Sequence, residues 1–142
     1  MELTEKNMKE LFIECNRLYF NNRLPLPKFG IMESYKALGG IWFNKRSEKT
    51  KVLRGQTIYF SKYYVFDDNL ARNVMVHEMI HYFLAQKNIV RDGDPDHGKV
   101  FMEMAEKINN EHGLCITERQ TGKNPPLSDK ASKFWYFMSR IF

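Results

Sequence analysis

The chain has 142 residues, of which 43% are hydrophobic and 27% charged, as is typical of one soluble globular domain. It contains no run of about 18 apolar residues that would predict a membrane span, and its N-terminus, MELTEKNMKELF, lacks the apolar stretch of a secretory signal. The net charge of +5 is compatible with nucleic acid as a partner, but no nucleic-acid-binding motif accompanies it. We therefore expect one cytoplasmic domain over residues 1–142 that makes no contact with membranes.

The first predicted helix covers residues 4–20. Its apolar side chains recur at helical spacing, at Met8, Leu11, Phe12, Cys15, Leu18 and Tyr19. Thr4 stands before the first turn and is a natural N-cap. Two prolines in NNRLPLPKFG (21–30) then end the helical pattern and predict extended chain.

Three strands are predicted to follow this helix. The segments 28–34 (KFGIMES), 39–44 (GGIWFN) and 56–61 (QTIYFS) are short and rich in β-branched and aromatic side chains. The polar segment 45–55 (KRSEKTKVLRG) lies between the last two, which predicts a solvated connection between strands.

Two further helices are predicted in the second half of the chain. One begins after Asp67 or Asp68 and runs to about Lys87, with apolar residues on more than one face, so we expect it at the centre of the domain. The other covers residues 98–112 and ends at Gly113.

The tail, residues 113–142, gives no clear structural prediction. It contains KNPPLSDK, which is typical of a turn or loop, and the aromatic cluster FWYF (134–137). We expect these aromatic side chains to anchor the tail on the core, although aromatic side chains can also stack on unpaired bases.

The stretch VMVHEMIHYF (74–83) carries the strongest chemical signal. His77 and His81 are four residues apart and so lie on one face of the predicted helix, where both imidazoles can bind one ion. Zinc accepts imidazole nitrogen readily, lowers the pKa of a bound water and polarises a carbonyl group. Glu78, beside the ion rather than facing it, can take a proton from water and pass one to a leaving amine.

A catalytic zinc site needs a third protein ligand, and the residues alone leave its identity open. His97 lies beyond a polar loop and by itself is typical of a solvent-exposed histidine. His112 stands at the C-terminal end of a predicted helix, where its side chain interacts favourably with the helix dipole. Glu103 and Glu106 lie in the same helix, where a glutamate ligand would give a thermolysin-like arrangement.

The order of these motifs resembles that of the SprT-like zinc metalloproteases, a family that includes bacterial SprT and the Spartan protease domain. The resemblance rests on HEMIHYFLAQ (77–86) followed, after a polar loop, by HGKVF (97–101). The upstream segments NRLYFNNRLPLPKFG (16–30) and GGIWF (39–43) are also similar to the family pattern. The likeness covers roughly residues 4–112.

This resemblance implies that His77, His81 and His97 are the zinc ligands and that Glu78 is the general base. It implies an α+β, zincin-like metalloprotease domain with an N-terminal helix, a small β-sheet, the HExxH helix and a following ligand-bearing helix. The implied activity is that of a zinc-dependent endopeptidase that hydrolyses peptide bonds with a zinc-activated water. Its substrates would be proteins or peptides, including DNA-associated or DNA-crosslinked proteins, as in DNA repair.

The chain departs from the family pattern in two respects. It lacks the four-cysteine zinc ribbon of many bacterial relatives, since it has only Cys15 and Cys115, which we expect to be reduced, buried thiols. It also lacks the partner-binding and ubiquitin-binding motifs of Spartan-type tails. DNA binding would then depend on basic residues of the domain itself, for which the candidates are Lys45, Arg46, Lys49, Lys51 and Arg54. A solvated loop is the alternative interpretation of these residues.

Two tyrosines and an acidic segment are assigned separately from the metal site. Tyr59, in the last predicted strand, is a candidate for binding an extended substrate backbone, as the edge of a sheet does in β-augmentation. Tyr82 is expected to pack in the core. Asp92, Asp94 and Asp96 alternate as in a calcium loop, but no glutamate follows at the required offset, so we interpret them as an ordinary loop.

Two other functions remain open at this level. The chain could be a zinc-containing DNA- or partner-binding module with little or no protease activity, although a structural zinc site has no need of the carboxylate of Glu78. It could also be a peptidase that acts on one dedicated partner, such as a repressor. Salt-sensitive binding to single-stranded DNA would separate the DNA-directed functions from the last one.

Overall fold

A computed structural model describes residues 1–43, 55–87 and 97–117 of the chain. In these residues the elements follow the order α1 (Glu5–Tyr19), β1 (Lys28–Met32), β2 (Gly39–Trp42), β3 (Thr57–Ser61), α2 (Asp68–Gln86) and α3 (Lys99–His112). The predicted α+β class is therefore confirmed, and so is the predicted order of elements. The first strand is shorter than predicted, since it ends at Met32 rather than at residue 34.

The predicted helix ends are confirmed by their hydrogen bonds. The hydroxyl of Thr4 accepts from the backbone N–H of Asn7 at 3.1 Å, which caps α1. Asp67, and not Asp68, caps α2, because its carboxylate accepts from the N–H of Leu70 at 2.7 Å. Gly113 ends α3 with a φ of 70°, a left-handed conformation that glycine adopts without the penalty of a Cβ atom.

The strands form a mixed sheet of order β1-β3-β2. β3 lies in the centre, parallel to β1 and antiparallel to β2. Ile58 and Phe60 of β3 are fully buried, and because successive side chains of a strand point to opposite faces, they define the face that packs on the helices. β2 contacts α2 and is an edge strand of this sheet within the described residues.

The helix α2 lies at the centre of the domain, as its apolar pattern predicted. Seven consecutive residues, 74–80, are buried, so core surrounds this helix on several sides. The helix contacts α1, α3 and β2. Tyr82 is fully buried, as expected: its hydroxyl donates to the carbonyl of Pro25 at 2.8 Å and accepts from Gln56 Nε2 at 2.7 Å.

A buried amide side chain directs the chain from α1 into the sheet. Asn16 Nδ2 donates to the carbonyl of Leu24 at 2.8 Å, and the N–H of Leu24 donates to Asn16 Oδ1 at 3.2 Å. Asn21 and Asn22, between them, take positive φ values of 52° and 58°, a conformation that asparagine tolerates better than most residues. Asn16 thus holds a sharp turn by both ends of its amide group.

Both cysteines are free thiols, as expected, but only Cys15 is buried; the expected burial of Cys115 is wrong, because it lies exposed in the segment after α3. Burial raises the pKa of the Cys15 thiol to about 12, so that it is an unreactive core group at neutral pH. In the parts of the chain that the structure describes, no helix is long and apolar enough to cross a membrane.

Candidate metal centre

Three histidines meet at the junction of α2 and α3. His77 and His81 lie one turn apart on α2, and their ring centroids are 5.0 Å apart. His97 lies two residues before α3, with its ring centroid 5.0 Å from that of His77 and 4.8 Å from that of His81. Of the described residues, these three form the one group of histidine, cysteine or acidic side chains suited to hold a metal ion.

The ligand atoms converge on one point. His97 Nε2 lies 3.1 Å from both His77 Nε2 and His81 Nε2. Nitrogen atoms that share a tetrahedral zinc at 2.0–2.1 Å are about 3.3 Å apart, so the observed separations fit a common ion. The histidines therefore match the donor set of a zinc site with three imidazole ligands and one position left for water.

The hydrogen bond of His77 fixes which of its ring nitrogens is free. His77 Nδ1 lies 3.0 Å from the backbone carbonyl oxygen of Thr117. Since a carbonyl oxygen only accepts, Nδ1 carries the proton, and Nε2 presents its lone pair to His81 and His97. A metal ligand whose other ring nitrogen donates to a carbonyl is the usual arrangement in zinc proteins.

Phe101, in the first turn of α3, supports all three imidazoles. Its ring centroid lies 4.9 Å from that of His77, 4.6 Å from that of His81 and 4.9 Å from that of His97. The side chain is only 1% exposed, so it cannot move without disturbing the core. Phe101 is the final residue of the HGKVF stretch (97–101), and this contact explains why an aromatic side chain there matters for the site.

Glu78 lies beside the histidines under the edge strand β2. Its side chain is 8% exposed, and its Oε1 is 3.9 Å from His77 Nε2, the atom that faces the metal position. A Cβ atom on Gly39 of β2 would lie 2.7 Å from Val74 Cγ1 and 3.6 Å from Glu78 Cγ. Only glycine at position 39 therefore lets β2 approach α2 this closely, and the strand lies against the Glu78 side chain at Cγ.

Both helical histidines are held in the neutral form that metal binding requires. Burial lowers the pKa of His77 to about 3, and the nearby His81 and His97 act in the same direction, while the Thr117 carbonyl opposes them. Burial also lowers the pKa of His81 to about 4, with a further contribution from His97. The fold thus presents two deprotonated ligands at neutral pH.

We expect the metal-free chain to lose stability as the pH falls from about 7 to 5. The pKa values of folded His77 and His81, about 3 and about 4, lie below the usual 6.5, so the unfolded state binds more protons in this range and the free energy of unfolding falls. Each histidine contributes about 2 kcal/mol of this loss by pH 5. Urea unfolding in the presence of a chelator measures it, and His81→Gln should lose about 2 kcal/mol less than wild type. Equal losses in the two proteins would contradict this explanation.

The other candidates for the third ligand lie outside the cluster. His112 packs edge-on against Tyr19, with centroids 4.8 Å apart, at the far end of α3. Glu103 is exposed and 3.9 Å from Lys99 in an ion pair. Glu106 is also exposed. The structure thus brings His97, and none of these three residues, to His77 and His81.

Tyr59 does not lie on a strand edge, contrary to the expectation from the sequence. Tyr59 belongs to β3, the central strand, whose backbone already pairs with strands on both sides. Its ring lies over Gly30, where a Cβ atom would be 2.6 Å from Tyr59 Cε1, on the face of the sheet opposite to Ile58 and Phe60. The backbone of β3 is therefore not free to pair with a substrate, and substrate binding by the Tyr59 side chain stays a prediction.

Several predicted residues lie outside the described parts of the chain. These are the basic candidates for DNA binding, Lys45, Arg46, Lys49, Lys51 and Arg54, together with Asp92, Asp94, Asp96 and the aromatic cluster 134–137. Their assignments stay predictions.

Sequence reasoning gave no role to three groups that shape the site. Phe101 is predicted only as part of the HGKVF motif, although its position four residues after His97 is a signal for contact with a ligand. Gly39 was noted only as part of a strand, and a glycine in a strand interior is itself a signal of close backbone approach. The Thr117 carbonyl carries no sequence signal, because every residue has one.

The chain matches a known protein family over most of its length. The model of the SprT-like family matches residues 8–120, which include all three histidines, Glu78 and Thr117. No curated protein matches the chain significantly.

Proposed function

We propose that this chain, which belongs to the SprT-like family, is a zinc-dependent endopeptidase whose substrates include DNA-associated or DNA-crosslinked proteins. The observation that carries the proposal is the convergence of His77, His81 and His97 with a buried carboxylate, Glu78, 3.9 Å from a ligand nitrogen. A site that used the metal only for structure would gain nothing from a carboxylate at this position, and it would usually have a fourth protein ligand.

The three histidines and Glu78 would have separate roles in hydrolysis. The three imidazoles would hold a zinc ion, which when bound lowers the pKa of a coordinated water toward about 7 and polarises a carbonyl group. Glu78 would accept a proton from the attacking water and deliver it to the amine that leaves when the peptide bond breaks. The burial of Glu78 under β2 would keep its carboxylate in one orientation for both transfers.

The proposed link to DNA rests on the family resemblance and on the charge of the chain. The family resemblance suggests it, and the net charge of +5 favours association with a polyanion. The alternative is a zinc-containing module that binds DNA or a partner and cleaves little or nothing.

A proteolysis assay with and without DNA tests the proposal. The zinc-loaded chain is incubated with an unfolded protein substrate, alone and with single-stranded DNA, at two salt concentrations. We expect cleavage that a chelator abolishes and added zinc restores, and we expect DNA to increase the rate more at low salt than at high salt.

The outcomes separate the functions. Chelator-sensitive cleavage that DNA does not change would support a peptidase with general or dedicated protein substrates and would overturn the DNA link. A chain that binds zinc and DNA but cleaves nothing would be a binding module. A chain that binds no metal would overturn the metal centre itself.

A further inference from the structure

The residues that follow α3 return toward the metal centre. After the left-handed turn at Gly113, the backbone N–H of Cys115 donates to Asn73 Oδ1 of α2 at 3.2 Å. Ile116 is buried in the core, 3% exposed. The segment 113–117 thus packs along α2 and ends where the carbonyl of Thr117 meets His77.

A single amide side chain fixes the last part of this segment. The backbone N–H of Ile116 donates to Asn109 Oδ1 at 2.8 Å, and Asn109 Nδ2 donates to the carbonyl of Ile116 at 2.9 Å. Both backbone polar groups of Ile116 are therefore held by Asn109, in the last turn of α3. Since the peptide unit that joins Ile116 to Thr117 is planar, fixing the carbonyl of Ile116 also fixes the N–H and Cα of Thr117, and this places the residue whose carbonyl meets His77.

That carbonyl determines the state of a ligand. It accepts from His77 Nδ1 at 3.0 Å, which places the ring proton on Nδ1 and the lone pair on Nε2, toward His81 and His97. Without this acceptor the neutral ring could carry its proton on Nε2 instead, and it could rotate about its side-chain bonds. Groups that orient a metal-binding histidine in this way typically contribute about 10- to 100-fold to metal affinity.

We propose that Asn109 is a positioning residue for the metal ligand His77, and that it acts through the backbone of Ile116 and Thr117. The inference rests on the metal centre of the proposed function but not on peptide hydrolysis. It makes metal affinity depend on a side chain whose hydrogen bonds go to Ile116 rather than to the three histidines.

A merely structural role is the competing explanation. Asn109 could hold residues 113–117 against the core and so stabilise the fold without any effect on the metal. The chain offers a matched control, because Asn16 holds Leu24 by the same pair of hydrogen bonds, on the segment that follows α1. A change at Asn16 should destabilise the fold by a similar mechanism, since the geometry is equivalent, and it acts on a segment that does not supply the acceptor for His77.

The test compares Asn109→Asp with Asn16→Asp. Each substitution keeps the size of the side chain and one acceptor but removes the N–H donor, and the new carboxylate repels the carbonyl that it faces. Metal affinity is measured by titration with Co²⁺, followed by its visible absorption, and by zinc competition against a chelator at pH 7.5. Circular dichroism establishes that the metal-free variants are folded. We expect Asn109→Asp to bind metal about 10- to 100-fold more weakly than wild type and Asn16→Asp to bind within about twofold of it.

If Asn109→Asp does not fold without metal, Asn73→Ala gives a second test. It removes only the hydrogen bond to Cys115, at the exposed start of the same segment. We expect it to weaken metal binding by a smaller factor, about two- to fivefold, while Asn16→Asp does not.

Three results would overturn the inference. Asn109→Asp could bind metal as tightly as wild type, or Asn16→Asp could lose as much affinity as Asn109→Asp, which would make the effect one of general stability. Where Asn109→Asp does not fold, the third result is an unchanged metal affinity in Asn73→Ala, which would also overturn the inference. These results leave the proposed function intact, whereas failure of the wild-type chain to bind metal would overturn both.

Discussion

Substituting Glu78 by glutamine is expected to reduce peptide hydrolysis by about 10²- to 10⁴-fold and to leave metal binding unchanged. Glutamine has the same shape as glutamate but cannot accept a proton at neutral pH. Three imidazoles form the metal position, and Glu78 is not one of its ligands. Its carboxylate lies beside them, 3.9 Å from His77 Nε2. Activity should therefore be lost while the ion is retained.

The measurement combines zinc content with single-turnover cleavage of an unfolded protein. Glu103→Gln is the matched control, because it makes the same chemical change on an exposed side chain of α3 that pairs with Lys99. We expect this control to cleave at the wild-type rate. Unchanged activity in Glu78→Gln would show that another group moves the proton, and loss of zinc in Glu78→Gln would show that the carboxylate helps to hold the ion.

Substituting His97 by alanine is expected to weaken metal binding by more than about 100-fold. The reason is that His97 Nε2 lies 3.1 Å from the ligand atoms of both other histidines, so its removal deletes one of three direct ligands. Loss of a residue that only orients a ligand typically costs about 10- to 100-fold, and loss of a ligand should exceed this.

His112→Ala is the control for this prediction. It removes the remaining histidine of the chain, which packs on Tyr19 away from the cluster. Zinc competition against a chelator should give the wild-type affinity for His112→Ala and a greatly reduced affinity for His97→Ala. If both variants bind zinc as wild type does, His97 is not a ligand.

The elements of the fold were predictable because their signals are local. Thr4, Asp67 and Gly113 mark helix ends through hydrogen bonds and backbone conformations that involve residues within four positions. The arrangement of the strands was not predictable in the same way. Whether β3 lies at the edge or in the centre depends on which distant strand pairs with it, and the prediction for Tyr59 was wrong about the strand edge for this reason.

The sequence itself determined that His77 and His81 lie side by side, since an α-helix places residues four apart on one face whatever surrounds it. The place of Glu78 beside them follows from the same geometry. The family resemblance, and not spacing, pointed to His97, because ten residues separate the end of α2 from the stretch 97–101, and spacing alone does not determine where a histidine at that distance lies.

Tertiary structure alone decided how the site is completed. It seated Phe101 against all three imidazoles, brought Gly39 of β2 over Glu78, and placed the Thr117 carbonyl on His77 Nδ1. The physical reason is that all of these contacts except that of Phe101 with His97 join groups far apart in the chain, and one of them uses a backbone carbonyl, which is common to all residues. The sequence determined which groups can bind a metal, and the packing of α2, α3 and β2 decided how those groups are oriented and how far each is buried.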